Sequence, residues 1–137
     1  MGRRQSIEIP GVNHGSTPIP QGAKLGRIVF SSAIAGADPK TGKIPEKPER
    51  QVQLAFENVR RFMEICGGTT EDIGRVTVYL EEERYRDLVN TEWVKMFPDP
   101  NSRPARHSIV TRLRNGAIVQ LELIAVLDSD EGLKTAP

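Results

Sequence analysis

Arg106 stands between Pro104-Ala105 and the β-branched run HSIVTRL, where a restrained backbone leads into a strand-like stretch. A guanidinium recognises carboxylate or phosphate bidentately, and burying it without an anion is costly. Arg106 is therefore either an anion clamp or a surface or interface arginine paired with Glu122 or Asp128. Spacing alone does not separate the two. In an extended run Arg106 and Ser108 share one face, while His107 points the opposite way. Gln120 and Glu122 share a face within VQLELIAV. Glu122 among apolar neighbours reads first as a structural carboxylate paired with an arginine, and second as an acid or base of raised pKa. His14, in a Gly/Ser/Pro-rich loop, reads first as exposed and second as catalytic. Ser31 and Ser32 lie in an apolar strand, where hydroxyls satisfy backbone groups, and no GxSxG context surrounds them. The stretch GADPKTGK (36–43) lacks the spacing of a phosphate loop.

The elements that must position these residues follow from periodicity. SIEI (6–9) alternates as a short strand, residues 10–24 form a long loop, and RIVFSSAIA (27–35) reads as a buried strand. Residues 49–66 give the clearest helix: Val52, Phe56, Val59, Met63 and Cys66 recur on one face, and Gly67-Gly68 stops it. Cys66 on that face reads as a small core residue. RVTVYL (75–80) is a strand and residues 84–97 a second helix, with Tyr85, Leu88, Val89, Trp93, Met96 and Phe97 on one side. Trp93 is expected in the core. Two strands, 107–113 and 117–127, flank Arg114-Asn115-Gly116, a hairpin signal. This order predicts a single α+β domain over residues 1–137, with two helices on one face of a sheet and with 1–5 and 129–137 flexible. The last strand is apolar on both faces, yet two helices cover only one. The second face is expected to be buried by oligomerisation.

Composition sets the remaining bounds. A chain of 137 residues needs neither disulfide nor metal to fold, and Cys66 is its single cysteine. Two scattered histidines make no metal site. Net charge is +1 with no basic stripe, which argues against nucleic acid as a partner. The sequence shows neither the apolar core of a signal peptide nor a membrane-spanning run, so a cytoplasmic protein is expected. MGRRQS fits the loose myristoylation form M-G-x-x-x-S, a pattern too permissive to carry weight.

Over residues 15–127 the chain resembles the reactive-intermediate deaminase family, RidA/YjgF. The resemblance rests on PIPQGAKLGRIVFSS, DPKTG, the unit QVQLAFENVRRFMEICGGTTEDIGRVTVYL, LVNTEWVKMF, RPAR and VQLELIAV, in that order. It implies a chorismate-mutase-like α+β fold, a mixed sheet assembling as a homotrimer around a central β-barrel, with a cleft between subunits. It also implies hydrolysis of 2-enamino or 2-imino acids to 2-oxo acids and ammonia, without cofactor or metal. The family's substrate-binding arginine falls on Arg106 and its second-helix asparagine on Asn90. Ser31 or Ser32 lies where its strand approaches the cleft.

Departures from the family pattern bear on mechanism. Its opening-loop tyrosine falls on Ile19, which cannot hydrogen-bond and implies a bulkier or less polar substrate. Its cysteine falls on Ser108, a weaker nucleophile but still a donor. The glutamate credited with handling the attacking water falls on Gln120, which can position a water but not accept its proton. Glu122 matches a second family glutamate, and three alternatives stand for the missing base: Glu122, His14 or no replacement at all. The alternative is a non-catalytic trimer binding small carboxylates or protein partners. A ribonuclease role is disfavoured by the near-neutral charge.

Overall fold

A strand that alternates between buried and half-exposed residues organises the molecule. A computed structural model describes residues 2–129. Its elements are β1 (Gln5–Ile7), β2 (Gly22–Leu25), β3 (Ile28–Ser31), β4 (Ile34–Ala35), α1 (Pro48–Ile65), β5 (Ile73–Leu80), α2 (Arg86–Met96), β6 (Ala105–Val110) and β7 (Val119–Val126). The sheet runs β1-β2-β3-β7-β5-β6, with β4 also on β7. Only β5 and β6 are parallel; the other pairs are antiparallel. A parallel pair needs a crossover, and α2 supplies it.

Val119, Leu121, Leu123 and Ala125 point from β7 towards the helices and are buried. The helix α1 starts on Pro48, where a missing N–H costs nothing. It ends in a Schellman motif: Gly67, at φ 86°, donates to the Glu64 carbonyl and Gly68 to that of Met63. All five residues of its expected apolar face are buried. Gly36 lets the helix lie close, since a Cβ there would meet the Gln51 carbonyl oxygen at 2.0 Å. From α2, Tyr85 at its N-terminal boundary, Val89, Trp93 and Phe97 complete the core.

On the other face of the sheet, an apolar stretch of β3 and β7 is uncovered among the described residues. Ile28 pairs with Val126 and Phe30 with Ile124, and all four are 40–50% exposed. The outward face of β7 is polar at Gln120 and Glu122 and apolar at Ile124 and Val126, and the two helices cover the other face.

Three expectations need correction. Residues 22–24 belong to β2, not to the loop, because Gly26 at φ 58° closes a two-residue turn onto β3. The stretch 27–35 is two strands: β3 leaves β7 after Ser31, β4 takes over, and the Ser31 hydroxyl accepts the Leu123 N–H at 2.8 Å in the gap. The hairpin at 114–116 does not form. Asn115 and Gly116 adopt left-handed conformations, φ 60° and 79°, but the chain passes over the end of β5, so β7 and β6 flank that strand. The Thr111 N–H bonds Leu80, and Glu81 N–H bonds Ile118, on that crossing. Gln5 pairs in β1, inside the stretch expected to be flexible. Residues 130–137 of the expected flexible tail lie outside the described residues.

Gln51 ties this crossing to α1. Its amide donates to the Pro45 and Gly116 carbonyls at 2.8 and 3.0 Å, and its oxygen accepts from Ile118 at 2.9 Å. Gln51→Leu removes all three hydrogen bonds and should destabilise by about 1–3 kcal/mol. The expected readout is a lower urea midpoint at unchanged slope; an unchanged midpoint refutes the tie.

Cys66 is buried in the core, and burial pushes its thiol up to about 12 from 9.0. The folded thiol should resist an aromatic disulfide reagent at pH 8 and react only in denaturant. Because its folded pKa is raised, its contribution is intact below pH 9.0 and is lost as pH rises towards about 12. Rapid labelling of the native protein at pH 8 contradicts this placement.

Candidate active site

Register decides which side chains can meet. On β6, Arg106 pairs with Val76 and Ser108 with Val78, so both lie on the helix-covered side of the sheet. Arg106 is inside the strand, one residue after its start, rather than ahead of it. Its Nε donates to the Ser108 hydroxyl at 3.1 Å, and its guanidinium carbon lies 5.1 Å from the centroid of the Trp93 ring. Trp93 is fixed by an edge contact with Phe97 at 4.8 Å. Stacking on an indole satisfies a cation without neutralising it.

Neither Glu122 nor Asp128 pairs with Arg106. Among the described residues, no ion pair includes it. Burial, reinforced by the neighbouring Arg86 guanidinium, pulls its pKa below the usual arginine value. Arg86 is itself held by Glu83. A half-buried guanidinium with its terminal nitrogens available is poised for an anion. Asn90 sits one turn before Trp93 on α2 and is exposed. Arg103, by contrast, is structural: its Nε donates to the Phe97 carbonyl at 2.8 Å.

The second part of the site lies elsewhere in the chain. A cavity of about 600 Å³ is lined by the 12–21 loop, β4 and the start of β7, including Asn13, His14, Ile19, Arg114, Asn115 and Gln120. Gln120 pairs with Ala35 on one side and Tyr79 on the other, on the sheet face opposite Arg106. The buried Nδ1 of His14 has no hydrogen-bond partner among the described residues. Ile19 is 46% exposed.

Three other expected site residues are engaged structurally. Glu122 accepts a 2.7 Å hydrogen bond from the Tyr79 hydroxyl, which raises the phenol's pKa. Ser32 donates to the Pro20 carbonyl at 2.8 Å, and Ser31 bonds Leu123 as above. These hydroxyls satisfy backbone groups, as their strand setting implies. Among the described residues no group of three or more His, Cys, Asp or Glu could hold a metal, and no helix is long and apolar enough to cross a membrane.

The sequence therefore points to residues that one chain does not bring together: Arg106 and Ser108 beside α2, and His14, Ile19 and Gln120 around the cavity. Three contributors escape a reading by pattern. Trp93 fits a helical core stripe, Tyr79 fits a plain strand, and Arg114-Asn115 fits a hairpin turn. The periodicity of Trp93 and Arg106 shows nothing of how the crossover between β5 and β6 brings them face to face.

Comparison with known proteins gives a consistent result. The family model described as Endoribonuclease L-PSP matches residues 16–127. The 2-iminobutanoate/2-iminopropanoate deaminase of Salmonella typhimurium is 33% identical over 111 residues, 80% of this chain and 87% of that protein. A RutC family protein of Aquifex aeolicus is 32% identical over 80% of this chain and 88% of its own length. The crystal structure of RidA from an Antarctic Psychrobacter superposes with a TM-score of 0.82 at 27% identity, covering 90% of this chain and 99% of that one. Escherichia coli TdcF with bound serine gives 0.80 at 28% identity, covering 89% and 98%. With a match over most of its length and relatives above 30% identity, the chain belongs to the Endoribonuclease L-PSP family, alongside these RidA and RutC proteins.

Proposed function

We propose that this protein is a cofactor-independent deaminase that hydrolyses 2-imino or 2-enamino acids to 2-oxo acids and ammonia, in a cleft completed between copies of the chain. The carrying observation is the state of Arg106: oriented by Ser108, stacked on Trp93 and, among the described residues, paired with no carboxylate. The deaminase names of the relatives support the same chemistry.

The substrate carboxylate sits on Arg106, with Asn90 at the rim. Water adds to the imine carbon, the nitrogen takes up a proton, and the carbinolamine collapses to a ketone and ammonia. Holding water and carbon in register is the main contribution. Gln120 offers a carbonyl to orient the water but no base. His14 is the titratable base among the cavity-lining residues.

The assembly belongs to the same reading. The exposed row Ile28, Phe30, Ile124 and Val126 and the free edge of β6 fit a homotrimer whose sheets close around a central barrel. Gln120 also favours a second reading, a trimer that binds small carboxylates without turnover.

The deciding assay generates 2-iminobutanoate in situ with an amino-acid oxidase and follows semicarbazide trapping. The protein should lower the trapped fraction, and Arg106→Ala should cut kcat/KM by about 100-fold. Trapping that the protein leaves unchanged refutes the deaminase and leaves the binding module. Gln120→Glu should raise kcat by about 100-fold, the lower end for an added general base. No rise contradicts the view that this position limits proton transfer. Sedimentation should give about three times the 15.2 kDa chain mass; a single-chain mass contradicts the assembly.

A further inference from the structure

The cavity next to Gln120 has a charge character that the carboxylate clamp does not explain. Its lining residues include a guanidinium, Arg114, and an imidazole, His14, with no Asp or Glu. Arg114 takes part in no ion pair among the described residues. A cation facing a partly enclosed space without a carboxylate partner attracts anions.

The Arg114 turn is also fixed in place from both sides. Ahead of it, the Glu81 carboxylate accepts the Leu113 N–H. Behind it, buried Gln51 holds the Gly116 carbonyl and the Ile118 N–H. Within it, Ala117 N–H bonds the Arg114 carbonyl at 3.1 Å, and Asn115 and Gly116 keep left-handed backbones. A preorganised backbone lowers the entropic cost of presenting a binding group. The buried Nδ1 of His14, unpartnered among the described residues, lines the same space.

From these observations we infer that Arg114 recognises a second carboxylate, so that the preferred substrates are 2-imino acids with an acidic side chain. The inference rests on the deaminase reading: Arg106 takes the carboxylate beside the imine and Arg114 the one at the far end. The apolar wall at Ile19 then packs the intervening methylenes rather than a large apolar group. Such imino dicarboxylates arise from oxidation of acidic amino acids.

The test compares kcat/KM for 2-iminoglutarate and 2-iminobutanoate, each formed in situ by an amino-acid oxidase. The dicarboxylate should be preferred by about tenfold, the scale of one charge-assisted contact. Arg114→Gln should erase that preference, and Arg114→Lys should restore part of it. Using the ratio cancels any general loss of activity. A ratio at or below one, or one that Arg114→Gln does not move, overturns the inference. If neither imino acid is hydrolysed, the deaminase reading has failed and calorimetry decides the inference alone. There, 2-oxoglutarate should bind about tenfold tighter than 2-oxobutanoate, and Arg114→Gln should abolish the difference. Equal binding overturns the assignment.

Discussion

A strand with a buried apolar row on one face and an exposed apolar stretch on the other has to be covered twice, and β7 imposes that requirement on the whole molecule. Its inward row, Val119, Leu121, Leu123 and Ala125, is buried under the helices. Its outward row joins β3 through Ile28–Val126 and Phe30–Ile124, and these four side chains are exposed among the described residues. Burying apolar surface is worth about 25 cal/mol per Å². A continuous patch of large aliphatic and aromatic side chains is a strong drive to associate. The fold therefore carries an unfinished surface, and its candidate site is unfinished in the same way.

The division of the site follows from topology. Because β6 runs parallel to β5, it needs α2 as a crossover, and that crossover sets Trp93 against Arg106. The same parallel pairing leaves β6 at the edge of the sheet. The chain then recrosses the end of β5, which puts Arg114 and Gln120 beside the opening loop and on the other side of the sheet from Arg106. One topological choice thus separates Arg106 from the cavity within a chain. The proposed assembly supplies Arg106 to the cavity from a second copy.

Local signals in the sequence are clearest in the helices, while the Gly26 turn between β2 and β3 and the break between β3 and β4 escape them. The three- and four-residue spacing of Val52, Phe56, Val59 and Met63 specifies α1 because a helix closes its hydrogen bonds within one turn. Cys66 belongs to that stripe and to the core. Asn115-Gly116 shows where such reading stops. The dipeptide adopts the left-handed turn that its residue types favour, yet whether the next strand pairs with β6 or crosses β5 depends on distant partners. Arg106 was legible as a candidate anion site, with spacing alone leaving a paired surface arginine equally open. Its Trp93 platform and the Arg114 turn were not, since both depend on contacts between segments. Glu122 was legible as a structural carboxylate, although its partner is the Tyr79 hydroxyl rather than an arginine.

The central claim, that Arg106 of one copy serves the cavity of another, is tested most directly by complementation. Arg106→Ala removes the clamp, and Gln120→Trp fills the cavity. Each variant should be inactive alone towards 2-imino acids. Co-expressed with different tags and purified through both, mixed assemblies should recover activity, because some clefts combine an intact Arg106 with an intact cavity. Mixed assemblies that stay as inactive as either parent would place both parts in one chain and contradict the account.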